Sequence, residues 1–473
     1  MNNRKTWVTA ATVAVGLCMA GNAFATNGYF THGTGTKNKA MAGSGIALPE
    51  DAIDITNNPA VAPFVGDQLG IGAALFSPVR KYETSESMLN GQMGAFTIGP
   101  NKLTSDSEYF VIPHIAKTWQ RDNGNAWAIA FYGRGGMNTD WKGGTATFDP
   151  DGQCGPAGAM TFPGTYGDGA FGGNGNTGVN LSQAFLDITW AKQVNENFSF
   201  GLSGVFVAQM FEAKGVRTFS AFTETYASSL NPQDPCSSMP TMPENLSNNG
   251  TDWSYGYGMK IGMHAPINDM FSFGAMYQTK ISMTEFDDYA DLFAEQGDFD
   301  IPANLKVGLT LHTSESLAFN FDIEHIWYSD VDSIANPIAN IFSCPTAGRG
   351  GTDLSSCLGG NNGAGVGWDD MTVFKLGMMW SNNEDWTWRF GYSYGEQPIP
   401  DSEMTFNILA PATIEHHFTA GFTLERTKGR EFSMAFMFAP NSDVTGPQNF
   451  DPTQTVKFEM YQWEMEASYS WRF

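Results

Sequence analysis

From Tyr461 to Phe473 apolar and polar positions alternate without a break. Tyr461, Trp463, Met465, Ala467, Tyr469, Trp471 and Phe473 fall on one face, and Gln462, Glu464, Glu466, Ser468, Ser470 and Arg472 on the other. Successive side chains of a strand point to opposite sides, so this period of two predicts a β-strand. Carboxylates on the second face exclude a dry core, whereas a barrel wall between lipid and a polar lumen accommodates both faces. The same alternation separates Trp253, Tyr255, Tyr257, Met259, Ile261 and Met263 from Ser254, Gly256, Gly258, Lys260, Gly262 and His264. It recurs where Trp388, Phe390, Tyr392 and Tyr394 interleave with Arg389, Gly391 and Ser393. Roughly fourteen such segments follow residue 67, starting near Gln68, Ser107, Ala126, Asn180, Asn197, Trp253, Met270, Pro302, Leu317, Met371, Trp386, Glu415, Arg430 and Val456. The predicted fold is all-β: a closed transmembrane antiparallel barrel of about 14 strands, because hydrocarbon leaves no strand edge unpaired.

The connections alternate in length. Arg121-Asp122-Asn123-Gly124, Asn195-Glu196-Asn197, Ile267-Asn268-Asp269, Asn382-Asn383-Glu384-Asp385 and Thr427-Lys428-Gly429-Arg430 read as tight turns on the periplasmic side. Long outward loops are expected near 135–177, 218–252, 286–300, 331–370, 399–413 and 441–455. Ahead of the wall, residues 26–66 carry Gly33, Gly35, Gly43, Gly45 and Asn58-Pro59-Ala60, which suits a plug of turns with a short helix around Lys39 to Ser44. A bore of fourteen strands is wider than its own side chains fill. Arg4 and Lys5 precede an apolar stretch from Trp7 to Ala20, then Ala23-Phe24-Ala25, so residues 1–25 read as a cleaved secretory signal and Thr26 as the mature start.

The full chain of 473 residues has net charge −24; without Arg4 and Lys5 it holds 23 basic against 49 acidic residues, or −26. Nucleic acid is thereby an unsuitable partner. Cys154, Cys236, Cys344 and Cys357 lie in loop sequence of an exported chain, which favours disulfides over a metal site. Three connectivities are open, with Cys344–Cys357 and Cys154–Cys236 the expected pairing. His32, His114, His264, His312, His325, His416 and His417 are scattered without a Ser or Asp partner in a recognisable pattern, so no enzyme and no cofactor are expected. By alternation Lys260, Lys306, Lys375 and Arg389 face the lumen with Asp322, Glu324, Glu425, Glu464 and Glu466. Each cation is a candidate for a carboxylate head group, the alternative being pairing among themselves and with the plug.

Lys39-Ala40-Met41-Ala42-Gly43-Ser44-Gly45-Ile46-Ala47, then Asp51-Ala52 and Asn58-Pro59-Ala60, resemble the hatch of the FadL, TodX and XylN outer-membrane transporters. Pro302, the strand around Trp327, Gly391-Tyr392-Ser393-Tyr394 with Pro398-Ile399-Pro400, and Phe473 extend the resemblance over the chain after residue 25. It implies a hatch-plugged barrel of the Gram-negative outer membrane that imports long-chain fatty acids or other hydrophobic compounds. It also implies capture among outer loops, passage to a pocket touching the hatch N-terminus, and sideways exit at a kinked third strand. On that basis Thr26, Asn27, Gly28, Tyr29 and Phe30 are the expected ligand-contacting end of the hatch, and Gly133, Gly135 and Gly136 the lateral gate. Tyr289, Leu292 and Phe293, at helical spacing in an outer loop, are the expected capture surface. Asp287, Asp288 and Asp291 beside them would repel a carboxylate, which keeps an uncharged hydrocarbon as the alternative substrate. Expected partners are the hydrophobic ligand, outer-membrane lipid and lipopolysaccharide, and the barrel-assembly machinery during insertion, with the chain a monomer. A general porin and a surface adhesin are the rival readings.

Overall fold

The computed structural model describes residues 27–150, 154–155, 158–231, 236 and 239–473. The expected signal peptide and Thr26 lie outside them. The wall is built from fourteen strands: β1 (Gln68–Thr84), β2 (Phe110–Gln120), β3 (Asn125–Asn138), β4 (Asn176–Asn195), β5 (Phe198–Lys214), β6 (Asp252–Pro266) and β7 (Phe271–Gln278), then β8 (Asn304–Ser314), β9 (Leu317–Ile326), β10 (Met371–Ser381), β11 (Trp386–Gly395), β12 (His416–Thr427), β13 (Arg430–Gln448) and β14 (Asp451–Arg472). Each pairs antiparallel with the next, and β1 pairs with β14 from Gln68↔Arg472 to Thr84↔Val456, which closes the barrel. Every strand start lies within a few residues of its sequence expectation, because the reversal of polarity at each turn is sharp.

The wall faces follow the period of two. Trp253, Tyr255, Tyr257, Met259, Ile261 and Met263 of β6 are exposed outward, while Ser254, Lys260 and His264 are buried inward. On β14, Gln462, Glu464, Glu466, Ser468 and Ser470 are buried inside while Met465 is exposed outside. Among the described residues no helix is long and apolar enough to cross a membrane.

Two expected boundaries move. The connection near 441–455 is not a long loop: β13 and β14 run on as one hairpin turning at residues 449–450, with partners from Ser442↔Met460 to Gln448↔Asp451. Val444, Val456 and Phe458 are buried there, so apolar packing against outer loops sustains the ladder beyond the wall. The short helix of the leading segment is Thr36–Lys39 and not Lys39 to Ser44, because Gly43 and Gly45 take positive φ and unwind the chain.

Residues 27–66 occupy the bore. Wall glycines make room for them: a Cβ on Gly262 would lie 2.2 Å from Asn58 Oδ1, and one on Gly391 would lie 2.2 Å from the Met41 carbonyl carbon. The Asn58 side chain accepts from the Ala60 N–H (3.0 Å) and donates to the carbonyls of Ile46 and Met263 (3.0 Å each). Asn58-Pro59-Ala60 is thus a turn clamped to β6. Replacing Asn58 by Ala removes all three bonds and is expected to cost about 1–3 kcal/mol locally. Faster hydrogen exchange over residues 44–62 with an unchanged barrel is the expected readout.

The outer loops pack into a cover. Thr97–Ile98, Thr145–Phe148 and Met160–Pro163 form a small three-stranded sheet. Cys154 is bonded to Cys236 and Cys344 to Cys357. Segment 396–415 folds over the barrel mouth, where the Ile408 carbonyl accepts from Trp141 Nε1 (2.8 Å) and Asn407 Oδ1 from Trp368 Nε1 (2.6 Å).

Candidate transport path

The lumenal cations that are candidates for a head group are all in ion pairs, the alternative that alternation also leaves open. Lys260 donates to Asp187 (2.7 Å), Tyr132 Oη (2.6 Å) and the Thr56 carbonyl (3.1 Å). Lys375 binds Glu324 (2.7 Å) and the His32 carbonyl (2.8 Å), and Lys306 lies 3.3 Å from the same Glu324. Arg389 is paired with Glu50 and donates to Thr423 Oγ1 (2.8 Å). Asp322 accepts from the N–H groups of Gly45 and Ile46. Lys39 reaches Glu464 (2.8 Å) and Glu466 (2.7 Å), and Lys37 pairs with Glu431. These charges fasten residues 27–66 to the wall. Glu425 is the exception to the lumenal set: it sits at a turn and accepts from the Gly429 N–H (2.7 Å).

The third strand carries an irregularity where a gate is expected. Along β3 and β4 the register shifts between Gly133↔Ala184 and Gly135↔Gln183, so Arg134 is an extra residue, a β-bulge. On its other side β3 pairs with β2 only from His114↔Tyr132 to Trp119↔Trp127 and Gln120↔Ala126. Beyond Tyr132 the two strands part. Contact resumes further out, where the Asp106 N–H donates to the Asp140 carbonyl (2.9 Å). The interval is a window in the wall.

The leading segment takes the edge that β2 abandons. The Thr31 N–H donates to the Arg134 carbonyl (3.0 Å), the Gly136 N–H donates to the Tyr29 carbonyl (3.1 Å), and Phe30 bridges to Gly135. The Arg134 guanidinium lies over the Phe30 ring at 4.7 Å and 3.6 Å from Glu324. Gly133, Gly135 and Gly136 are therefore brought together with Asn27, Gly28, Tyr29 and Phe30. Gly28 has φ +62°, and a Cβ there would clash with Tyr328, whose hydroxyl donates to the Asn27 carbonyl.

Tyr289, Leu292 and Phe293 do not form an exposed capture surface. Tyr289 is fully buried and donates to the Gly250 carbonyl (2.6 Å), and Leu292 and Phe293 pack against the core of the outer loops. Burial pushes the Tyr289 phenol up to about 12. The loop packs inward on the ring of Phe211, which stands 4.9 Å from Tyr289 and 4.7 Å from Phe293. From there rings run towards the window: Phe293 to Phe299 at 4.9 Å, Phe299 to Tyr29 at 6.2 Å, Tyr29 to Trp368 at 6.2 Å. The track consists mostly of residues that no motif marks.

A closed ring of fourteen strands with a greasy exterior, a polar bore and that bore filled by the chain's own leading residues defines an outer-membrane β-barrel built to restrict passage. Residues 157–470 match the family described as outer membrane protein transport protein (OMPP1/FadL/TodX), and the chain belongs to it. It is an outer-membrane transport protein and not an enzyme. The toluene transporter TodX of Pseudomonas putida has the same fold, with TM-score 0.58 at 17% identity over 94% of this chain and 99% of that one. A FadL homologue of Pseudomonas aeruginosa gives 0.61 at 14% over 94% and 100%, and the toluene transporter TbuX of Ralstonia pickettii 0.56 at 14% over 94% and 99%. No curated protein sequence matches the chain.

Proposed function

We propose that the protein imports long-chain fatty acids or related hydrophobic compounds by passive passage, with residues 26–66 as the hatch and the gap between β2 and β3 as a lateral exit. The observation that carries this reading is the ladder ending at His114↔Tyr132, with the freed edge of β3 held by Tyr29 to Thr31. A hatch bonded to the rim of a wall window moves the rim when it moves. Apolar cargo gains about 0.8 kcal/mol per CH₂ buried, so the rings from Phe293 to Trp368 suit several moderate resting places along one route. Bacterial relatives of this fold described as toluene transporters support the second substrate class, an uncharged aromatic or aliphatic hydrocarbon.

The test is uptake of radiolabelled oleate and of toluene by cells carrying the wild-type chain or a deletion of Thr26 to Phe30. Loss of uptake by about tenfold or more, with the barrel still inserted, is the expected result; unchanged uptake removes the hatch end from the route. A general porin predicts a large stable conductance in a planar bilayer. The ion-paired filling of the bore favours a small one.

A further inference from the structure

Among the described residues eight Lys or Arg side chains are buried: Lys37, Lys39, Arg80, Arg134, Lys260, Lys306, Lys375 and Arg389. Seven of them lie within 4.0 Å of a carboxylate oxygen. Arg80 is the exception. It is 1% exposed on the inner face of β1, its Nη1 makes one long bond of 3.4 Å to the Ser107 carbonyl, and its Nη2 has no partner. A guanidinium offers five donors in a planar fork that matches a carboxylate, and burying it unpaired is costly.

The surroundings sort polar from apolar. Arg80 lines a small cavity whose other walls are Met137, Trp368, Ala410, Pro411 and Ala412, with Asn138 at its edge. Asn138 also borders a second cavity, whose lining includes Ser107, Asp140, Asn180, Glu212 and Lys214. Its Oδ1 lacks a partner, as Arg80 Nη2 does. The free donor thus stands at the seam between an apolar recess and a polar one, beside the outer rim of the β2–β3 window. Trp368 joins the recess to Tyr29 and the ring track. An anionic head with a hydrocarbon tail supplies the acceptor that Arg80 lacks, leaving the neighbouring Asn138 Oδ1 to another donor, and a neutral hydrocarbon leaves the guanidinium unpaired.

We propose that Arg80 is the docking point for the carboxylate of a long-chain substrate, with the tail lying against Met137 and Trp368. This rests on the transport reading above and selects fatty acid over hydrocarbon within it. The test is equilibrium binding of radiolabelled oleate and of its neutral analogue methyl oleate to the purified protein in detergent. Wild type is expected to prefer oleate by at least about tenfold. Arg80→Gln should bind both at the methyl oleate level, and Arg80→Lys should restore part of the preference. Equal wild-type affinity for the two ligands overturns the assignment while leaving hydrophobic import intact. An undiminished preference in Arg80→Gln, judged folded by heat-modifiable migration, also overturns it. Absence of both binding and uptake of either ligand would instead bring down the transport reading, and the assignment with it. If Arg80→Gln does not fold, the wild-type comparison alone decides.

Discussion

Replacing Lys39 by Met is expected to unseat the leading segment from a barrel that remains closed. Lys39 bridges Glu464 and Glu466 on β14, both buried. Glu466 keeps a bond from Thr36 Oγ1 (2.8 Å) and the His114 ring at 3.4 Å, but the two carboxylates lose the one cation that touches both among the described residues. Removing one partner from a buried ion pair costs about 3–5 kcal/mol, enough to shift seating by about two to four orders of magnitude. Protease cleavage between residues 27 and 66 and a rise in single-channel conductance are the expected signs. The compensated variant, Lys39→Met with Glu464→Gln and Glu466→Gln, removes the stranded charge and should largely restore the seat, since matched removal of both partners approaches neutrality. Protection unchanged in Lys39→Met would mean that the other contacts hold the segment without it.

Leucine at Gly135 is expected to abolish uptake while leaving the barrel folded. A Cβ at this position falls 2.0 Å from Gln183 Oε1 and 3.3 Å from Tyr29 Cδ2, so the larger side chain fills the bulge and pushes on Tyr29 of the leading segment together. A fall in oleate uptake of about tenfold or more is expected from blocking a single route. Leucine at Gly204 is the control, because a Cβ there meets only Phe206 at 3.9 Å. Normal uptake by the Gly135 variant would place the exit elsewhere.

What was legible in the sequence follows from what a period of two encodes. It gives the face of each side chain, so the outward aromatics of β6 and the inward acids of β14 were readable, and the sharp turns fixed the strand ends. It does not give the partner across the bore. Lys260, Lys375 and Arg389 lie in the lumen as alternation predicts, but alternation does not choose among their partners: Lys260 pairs with Asp187 two strands away, Lys375 with Glu324 on the next strand, and Arg389 with Glu50 of the leading segment, whose fold has no period. The inward glycines of β6 and β11 were visible as a pattern, and close approach by another backbone was the signal they held. Arg80 sat on the inner face of β1 by the same count as Ala74 and Phe76. No motif marks it, and its lack of a carboxylate partner is a property of the fold and not of the sequence. Tyr289 and Phe293 were misplaced because helical spacing in a loop does not say whether the apolar side turns out or in. Phe211, 78 positions before Tyr289 in sequence, decides that.

The contact between Lys39 and the acids of β14 joins the first part of the polypeptide to emerge from export with the last. Glu464 and Glu466 are in place only when the seam from Gln68↔Arg472 has zipped. Strands β3, β6, β10 and β11 already hold residues 27–66, so closing the cylinder adds the last grip on the cork and does not begin it. Biogenesis so arranged exposes the cell to no interval in which a finished hole stands open.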